Sequence, residues 1–238
     1  MNIKRRNQSM KKLGLIGGIG PESTIVYYRA ITSEIQKLTG EFPELVIESL
    51  SVYKVLDYCK NEDYGGLAAY LLEGINHLAS AGADVACFTG ITVHIVYDEV
   101  AKKSPIPIIS MLDSASVYAQ MHHFKKVALL GTYATMSGTF FQNSFKHYGI
   151  EVVTPIEADM NYINEKISTE LEVGVINEET RKRLATIAKK LVKDTKADAV
   201  VLGCTELPLI LNQRLLSCPC MDVMQIHIAK LIHIILER

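Results

Sequence analysis

Short runs of apolar and β-branched residues recur along the chain, each followed by a segment with helical spacing. Leu13 to Ile16, Leu45 to Leu50, Ala83 to Phe88, Val127 to Leu130, Glu151 to Val153 and Ala199 to Leu202 read as strands. One further short strand follows Ser104-Pro105-Ile106-Pro107. Between them, apolar positions three and four apart predict helices. One opens at Pro21 and runs to about Leu38; a second spans about Glu62 to Ser80, with Leu67, Tyr70, Leu71 and Leu78 on one face. Others start near Asp113, end near His147, and cover about Asp159 to Glu172 and Glu178 to Lys196. A last helix runs from about Val223. Strands alternating with helices imply an α/β fold of parallel sheets covered on both faces.

The pattern repeats. Gly17 and Gly90 stand 73 positions apart (17 to 90), and so do Gly131 and Cys204 (131 to 204). Ala83-Asp84 precedes Gly90 as Ala197-Asp198 precedes Cys204. Equal spacing in matching strand–loop–helix order implies a duplicated unit with a pseudo-two-fold axis. The expected organisation is two α/β domains, 11–115 plus 223–238 and 116–222, with the active site in a cleft between the Gly90 and Cys204 loops. Residues 1–10 are expected to be a flexible leader, with Met10 an alternative start.

Composition narrows the function classes. The 238 residues carry a formal net charge of −1 and a sequence pI of about 6.7, which is no footprint for nucleic acid. No apolar run reaches the roughly 18 residues that span a membrane. Lys4, Arg5 and Arg6 lie in the leader without an apolar segment behind them, so a secretory signal is not expected. Five cysteines, an odd number, point to free thiols and the cytoplasm. Cys218 and Cys220 have no partners at zinc-type spacing and read as structural, so no metal is expected.

Two loops carry the candidate chemistry. The strand from Ala199 ends in Gly203-Cys204-Thr205-Glu206-Leu207. In open α/β sheets, ligands bind beyond the carboxyl ends of the strands, so Cys204 is placed to meet a substrate. The alternative is a buried core thiol. Near the other end, Gly17-Gly18-Ile19-Gly20-Pro21 leads into a helix, and its turn around Ile19 is suited to an anion such as a substrate carboxylate. With no third glycine and no Gly-Lys-Ser/Thr, it is neither a dinucleotide fingerprint nor a P-loop.

These stretches together resemble the cofactor-independent aspartate/glutamate racemase family over nearly the whole chain. Leu-Gly-Leu-Ile-Gly-Gly-Ile-Gly-Pro-Glu-Ser-Thr at 13–24 resembles its opening loop, Leu-Leu-Gly-Thr-Tyr-Ala-Thr-Met at 129–136 its second-half loop, and Leu-Gly-Cys-Thr-Glu-Leu at 202–207 its most specific signature. The resemblance implies a small acidic amino acid, aspartate or glutamate, as substrate, no cofactor, and a homodimer. It implies two opposed thiols, one removing the α-proton and the other returning it. Cys204 takes the second thiol position, with Thr205 and Glu206 beside it. The first belongs at Gly90, in a motif usually reading Cys-Asn-Thr, any residue, His; this chain has Gly90-Ile91-Thr92-Val93-His94. Thr92 and His94 match, whereas Gly90 carries no proton and Ile91 cannot hydrogen-bond a carboxylate. Thr89, Thr92, His94 or a water would then have to substitute.

By the same resemblance Thr132 and Thr135 bind the α-carboxylate, Lys166 the side-chain carboxylate, and Lys54 supplies a second cation; helix capping is the alternative for the two threonines. Two rival functions remain. Arylmalonate decarboxylases also resemble the chain, with one thiol at the second position and Gly at the first. A degenerate racemase that binds an acidic amino acid without turnover is the other.

Overall fold

The computed structural model describes residues 10–237; of the expected leader, all but Met10 lies outside them. In chain order the elements are β1 (Leu13–Gly17), α1 (Pro21–Thr39), β2 (Leu45–Ser49), α2 (Val52–Lys60), α3 (Tyr64–Ser80), β3 (Val85–Phe88), α4 (Tyr97–Lys103), β4 (Ile108–Ile109), α5 (Met111–Met121), β5 (Lys126–Gly131), α6 (Tyr133–Ser137), α7 (Phe140–His147), β6 (Glu151–Val153), α8 (Glu157–Thr169), α9 (Glu178–Thr195), β7 (Ala199–Gly203), α10 (Gln213–Leu216), β8 (Cys220–Asp222) and α11 (Val223–Leu236). Three 3-10 turns lie at Thr92–Val96, Leu171–Val173 and Leu207–Leu209.

The chain divides into two compact units. The first holds the described residues up to Thr89 with Glu99–Ile109 and the end of α11; the second holds Gly90–Asp98 and Ser110–His227. Residues 90–98, 110–115 and 223–227 thus group with the second unit rather than with the first domain as drawn from the sequence.

The first unit is a four-stranded parallel sheet in the order β2-β1-β3-β4. Its central strand, Leu-Gly-Leu-Ile-Gly, is buried along its whole length, as a parallel strand covered on both faces should be. α1 turns Tyr27, Ile31 and Ile35 inward and packs on β1; α3 does the same with Leu67, Leu71, Ile75 and Leu78, and reaches β1, β2 and β3. α2 was not legible from spacing: only Val55 is buried, and Ser51 makes no capping bond.

The second unit repeats the design. Its parallel sheet runs β6-β5-β7-β8, the same order. The two Ala-Asp pairs do the same work in both. Asp84 accepts the Lys12 backbone N–H at 2.7 Å, and Asp198 accepts those of Lys125 and Lys126 at 2.7 and 2.9 Å, fixing the chain just before β1 and β5. The duplication is therefore structural as well as numerical. Two departures are local. The helix expected to end near His147 does so, and the stretch before it carries a further short helix, α6, set apart by an extended Gly138 (φ −74, ψ 164). The helix expected to reach Glu172 stops at Thr169 and gives way to a 3-10 turn.

Candidate active site

β7 is buried from Ala199 to Gly203 and releases the chain at Cys204. Gly203 lies in register with Gly131 at the end of β5. A Cβ on Gly131 would come within 2.6 Å of the Gly203 carbonyl oxygen, so these strand ends close to a separation that only glycine permits. The loop that follows β5 and the loop that carries the thiol therefore start side by side.

Cys204 is 7% exposed. Its thiol donates to Glu206 Oε2 at 2.8 Å, and the Thr205 hydroxyl donates to Glu206 Oε1 at 2.7 Å, so each carboxylate oxygen holds one donor. Burial first, then the charge and hydrogen bond of Glu206, push the thiol well above its ordinary 9.0; the Glu206 backbone N–H opposes them and Glu172 adds to them. Glu172, in the 3-10 turn after α8, is itself raised, by burial and then by the Glu206 charge. The resting group is a protonated thiol hydrogen-bonded to Glu206 and within electrostatic reach of Glu172. Sequence reasoning missed Glu172, since its proximity to Cys204 is purely tertiary and leaves no spacing signal.

The loop after β3 is the counterpart in the repeat, and its groups are committed to structure. Thr89 is fully buried; its hydroxyl donates to the Ile16 carbonyl at 3.1 Å and lies 3.2 Å from Thr24 Oγ1. Its own carbonyl accepts from Ser23 Oγ at 3.1 Å. Ile91 is buried, and Thr92, half-buried, heads the 3-10 turn. His94 is the pin of this loop. Nδ1 lies 3.1 Å from the carbonyl oxygens of both Gly90 and Ile91, and Nε2 accepts the Met111 backbone N–H at 3.1 Å. That donor assigns the ring proton to Nδ1. Burial lowers the imidazole to about 4 against the two carbonyls, so it is neutral near pH 7. Thr89 and His94, the expected substitutes for the missing thiol, are thus both engaged in hydrogen bonds within this loop and its neighbours.

Thr132 caps α6, accepting the Thr135 N–H at 3.4 Å, and its hydroxyl lies 3.0 Å from that of Thr135, which is buried. The capping role anticipated as the alternative is present. Lys166 on α8 lies 3.0 Å from Glu170 and 3.2 Å from Glu165. Its ammonium is thus already neutralised, and it lies 5.6 Å from the Tyr162 ring centre. In the first unit, Lys54 is exposed and lies 5.2 Å above the Tyr70 ring. Ile19 is half-buried between Gly20, which precedes α1, and Gly18, whose φ of +77 excludes most side chains.

All five cysteines are free thiols. Among the described residues no group of three or more His, Cys, Asp or Glu is arranged for a metal ion, and no helix is long and apolar enough to cross a membrane.

Comparison with known proteins bears on this arrangement. The family model for Asp/Glu/hydantoin racemases matches residues 16–231. The broad specificity amino-acid racemase RacX of Bacillus subtilis is 22% identical over 215 residues, covering 88% of this chain and 92% of the relative. A Yersinia pestis structure assigned to the Asp/Glu racemases is 31% identical with a TM-score of 0.91, covering 96% of this chain and 100% of the other. An aspartate racemase homologue from Pyrococcus horikoshii OT3 is 33% identical with a TM-score of 0.84, at the same coverage. An arylmalonate decarboxylase, 11% identical with a TM-score of 0.57 over 94% of this chain and 92% of its own, shares the fold alone. A match from the end of β1 into α11, with two solved relatives above 30% identity covered end to end, places the chain in the Asp/Glu/hydantoin racemase family.

Proposed function

We propose that the chain is a cofactor-independent racemase-type enzyme acting on a small acidic amino acid, aspartate or glutamate, with Cys204 as its acid/base. The observation that carries the reading is the Cys204–Glu206 hydrogen bond of 2.8 Å at the carboxyl end of β7. A thiol hydrogen-bonded to a carboxylate can pass its proton to that carboxylate, act as thiolate on the α-hydrogen, and return a proton to the resulting carbanion. An α-ammonium beside Glu206 and Glu172 also relieves the field that opposes the thiolate. Substrate binding thereby primes the base. In this reading Lys166 receives the side-chain carboxylate by exchanging it for Glu165 or Glu170, which lie 3.2 and 3.0 Å away. A cytoplasmic homodimer completes the proposal on the family resemblance.

The test is proton NMR of the L and D forms of aspartate and glutamate in deuterium oxide, with a chiral assay of the same samples. Loss of the α-proton signal with inversion is the expected result. Loss without inversion reduces the enzyme to a single base working on one face. Neither signal overturns the reading. A second function, decarboxylation of a malonate, is favoured by one observation: Gly90 leaves a single thiol in the paired positions. Against it, a malonate brings two negative charges and no ammonium to the neighbourhood of Glu206 and Glu172. Carbon dioxide release from aryl- and alkylmalonates, with no aspartate exchange, would replace the racemase by the decarboxylase.

A further inference from the structure

The second unit contains a cavity of about 730 Å³ that the chemistry of Cys204 does not use. That volume lies within the range of small-molecule sites, roughly 300–1,000 Å³. Three segments wall it: the 3-10 turn and start of α4 (His94 to Asp98), the start of α5, and α7 with Tyr148.

Its polar groups converge. The Tyr148 hydroxyl donates to the Asp113 carboxylate. The Tyr97 phenol is pushed up to about 12, by burial and then by the charges of Asp113 and Asp98, so both carboxylates lie within electrostatic reach of it. Tyr97 stacks on His94 with ring centres 5.7 Å apart and planes 13° from parallel. His94 is neutral near pH 7, and the described residues lining the cavity include no lysine or arginine. Two carboxylates, Asp98 and Asp113, line the cavity together with the aromatic side chains of Tyr97, Phe140 and Tyr148. The Asp113 N–H donates to the Ser110 hydroxyl oxygen at 3.1 Å, so that N–H is not open to an anion.

We propose that this cavity is a second ligand site and that it takes an organic ammonium ion, a primary or quaternary amine on a short aliphatic chain. Carboxylates with aromatic faces are the pairing that recognises such cations, through charge and cation–π attraction together. The occupant would touch the His94–Tyr97 stack, and His94 in turn holds the carbonyls of Gly90 and Ile91. The inference does not depend on the proposed reaction.

The experiment is calorimetric titration of the full chain at constant ionic strength with 1,4-diaminobutane and with tetramethylammonium chloride, using 1,4-butanediol as the uncharged control. Saturable binding of at least one cation is expected, with none of the diol. Asp98→Asn, a change at an exposed side chain that leaves folding intact, should weaken binding by about fivefold. Asp113→Asn and Tyr97→Leu should weaken it further, with circular dichroism confirming the fold. No saturable binding of either cation, equal binding of the diol, or full affinity in both Asp variants would overturn the proposal.

Discussion

The loops after β3 and after β7 occupy equivalent places in a duplicated fold, yet the polar groups of one are bonded to backbone while the other presents a thiol bonded to a carboxylate. After β7, Cys204 donates to a carboxylate and Glu172 adds a second acid nearby. After β3, Gly90 offers no side chain, the Thr89 hydroxyl is spent on Ile16, and both His94 nitrogens hold backbone. Equivalent positions in the two halves therefore differ in what their side chains are free to exchange, which is what the proposed chemistry at Cys204 requires.

The largest effect is expected from Cys204→Ala. If the β7 loop alone carries the chemistry, α-proton exchange in deuterium oxide should fall by about 10³-fold, within the range for loss of a general acid or base. Exchange at the native rate would remove Cys204 from the mechanism. Gly90→Cys tests the opposite loop. Returning a thiol there should raise inversion by about 10²-fold while leaving one-face exchange much as it was. No gain in a folded variant would mean that position 90 does not face the α-carbon.

His94 allows the structural loop to be tested through stability. Its folded pKa of about 4 lies below the 6.5 of the open chain. Between those values the unfolded state binds a proton that the folded state refuses. Stability from this group is therefore full above pH 6.5 and is lost as the pH falls toward 4, by up to roughly 3 kcal/mol. Urea unfolding at pH 7.5 and 4.5 should show that loss in the native chain, and His94→Gln should flatten it. An equal slope in the variant would mean that the imidazole is not held neutral.

Much of this contrast was visible in the residues themselves. The buried strands were legible because a parallel strand covered on both faces must be apolar throughout, and the 73-residue spacing exposed the duplication. β8 escaped notice because Cys220-Met221-Asp222 is short and ends in a carboxylate. Lys166 illustrates a signal that was present and unused: Glu170, four residues on in the same helical register, already marked an ion pair. Glu172 left no such mark, since it reaches Cys204 only through the folded turn after α8. Fold followed from periodicity; the state of each functional group depended on tertiary neighbours that periodicity does not encode.

A smaller effect distinguishes the thiol's two restraints. Burial is the larger cause of its raised pKa and Glu206 the next. Glu206→Gln removes the charge and leaves the burial, so the pKa should fall and the thiolate fraction at pH 8 should rise. Alkylation of Cys204 by iodoacetamide, followed by peptide mass spectrometry, should then speed up several-fold. An unchanged or slower rate would assign the shift to burial alone and deprive Glu206 of its proposed part in priming the base.

The smallest effect concerns the loops that open each half. α1 begins at Gly20 without a side-chain cap, whereas α6 begins at Thr132, whose hydroxyl receives the Thr135 N–H. Thr132→Ala should therefore destabilise the fold by about 1 kcal/mol, the usual loss for a threonine N-cap. If Thr132 serves only as a cap, Thr132→Asn, an equally good capping residue, should restore both stability and KM. If it also holds the substrate carboxylate, Thr132→Asn should recover stability while KM for aspartate stays raised. Stability and KM moving together would confine Thr132 to the helix; their separation would return it to the site beside Cys204, and with it the one hydroxyl of the β5 loop that is both a cap and only half-buried.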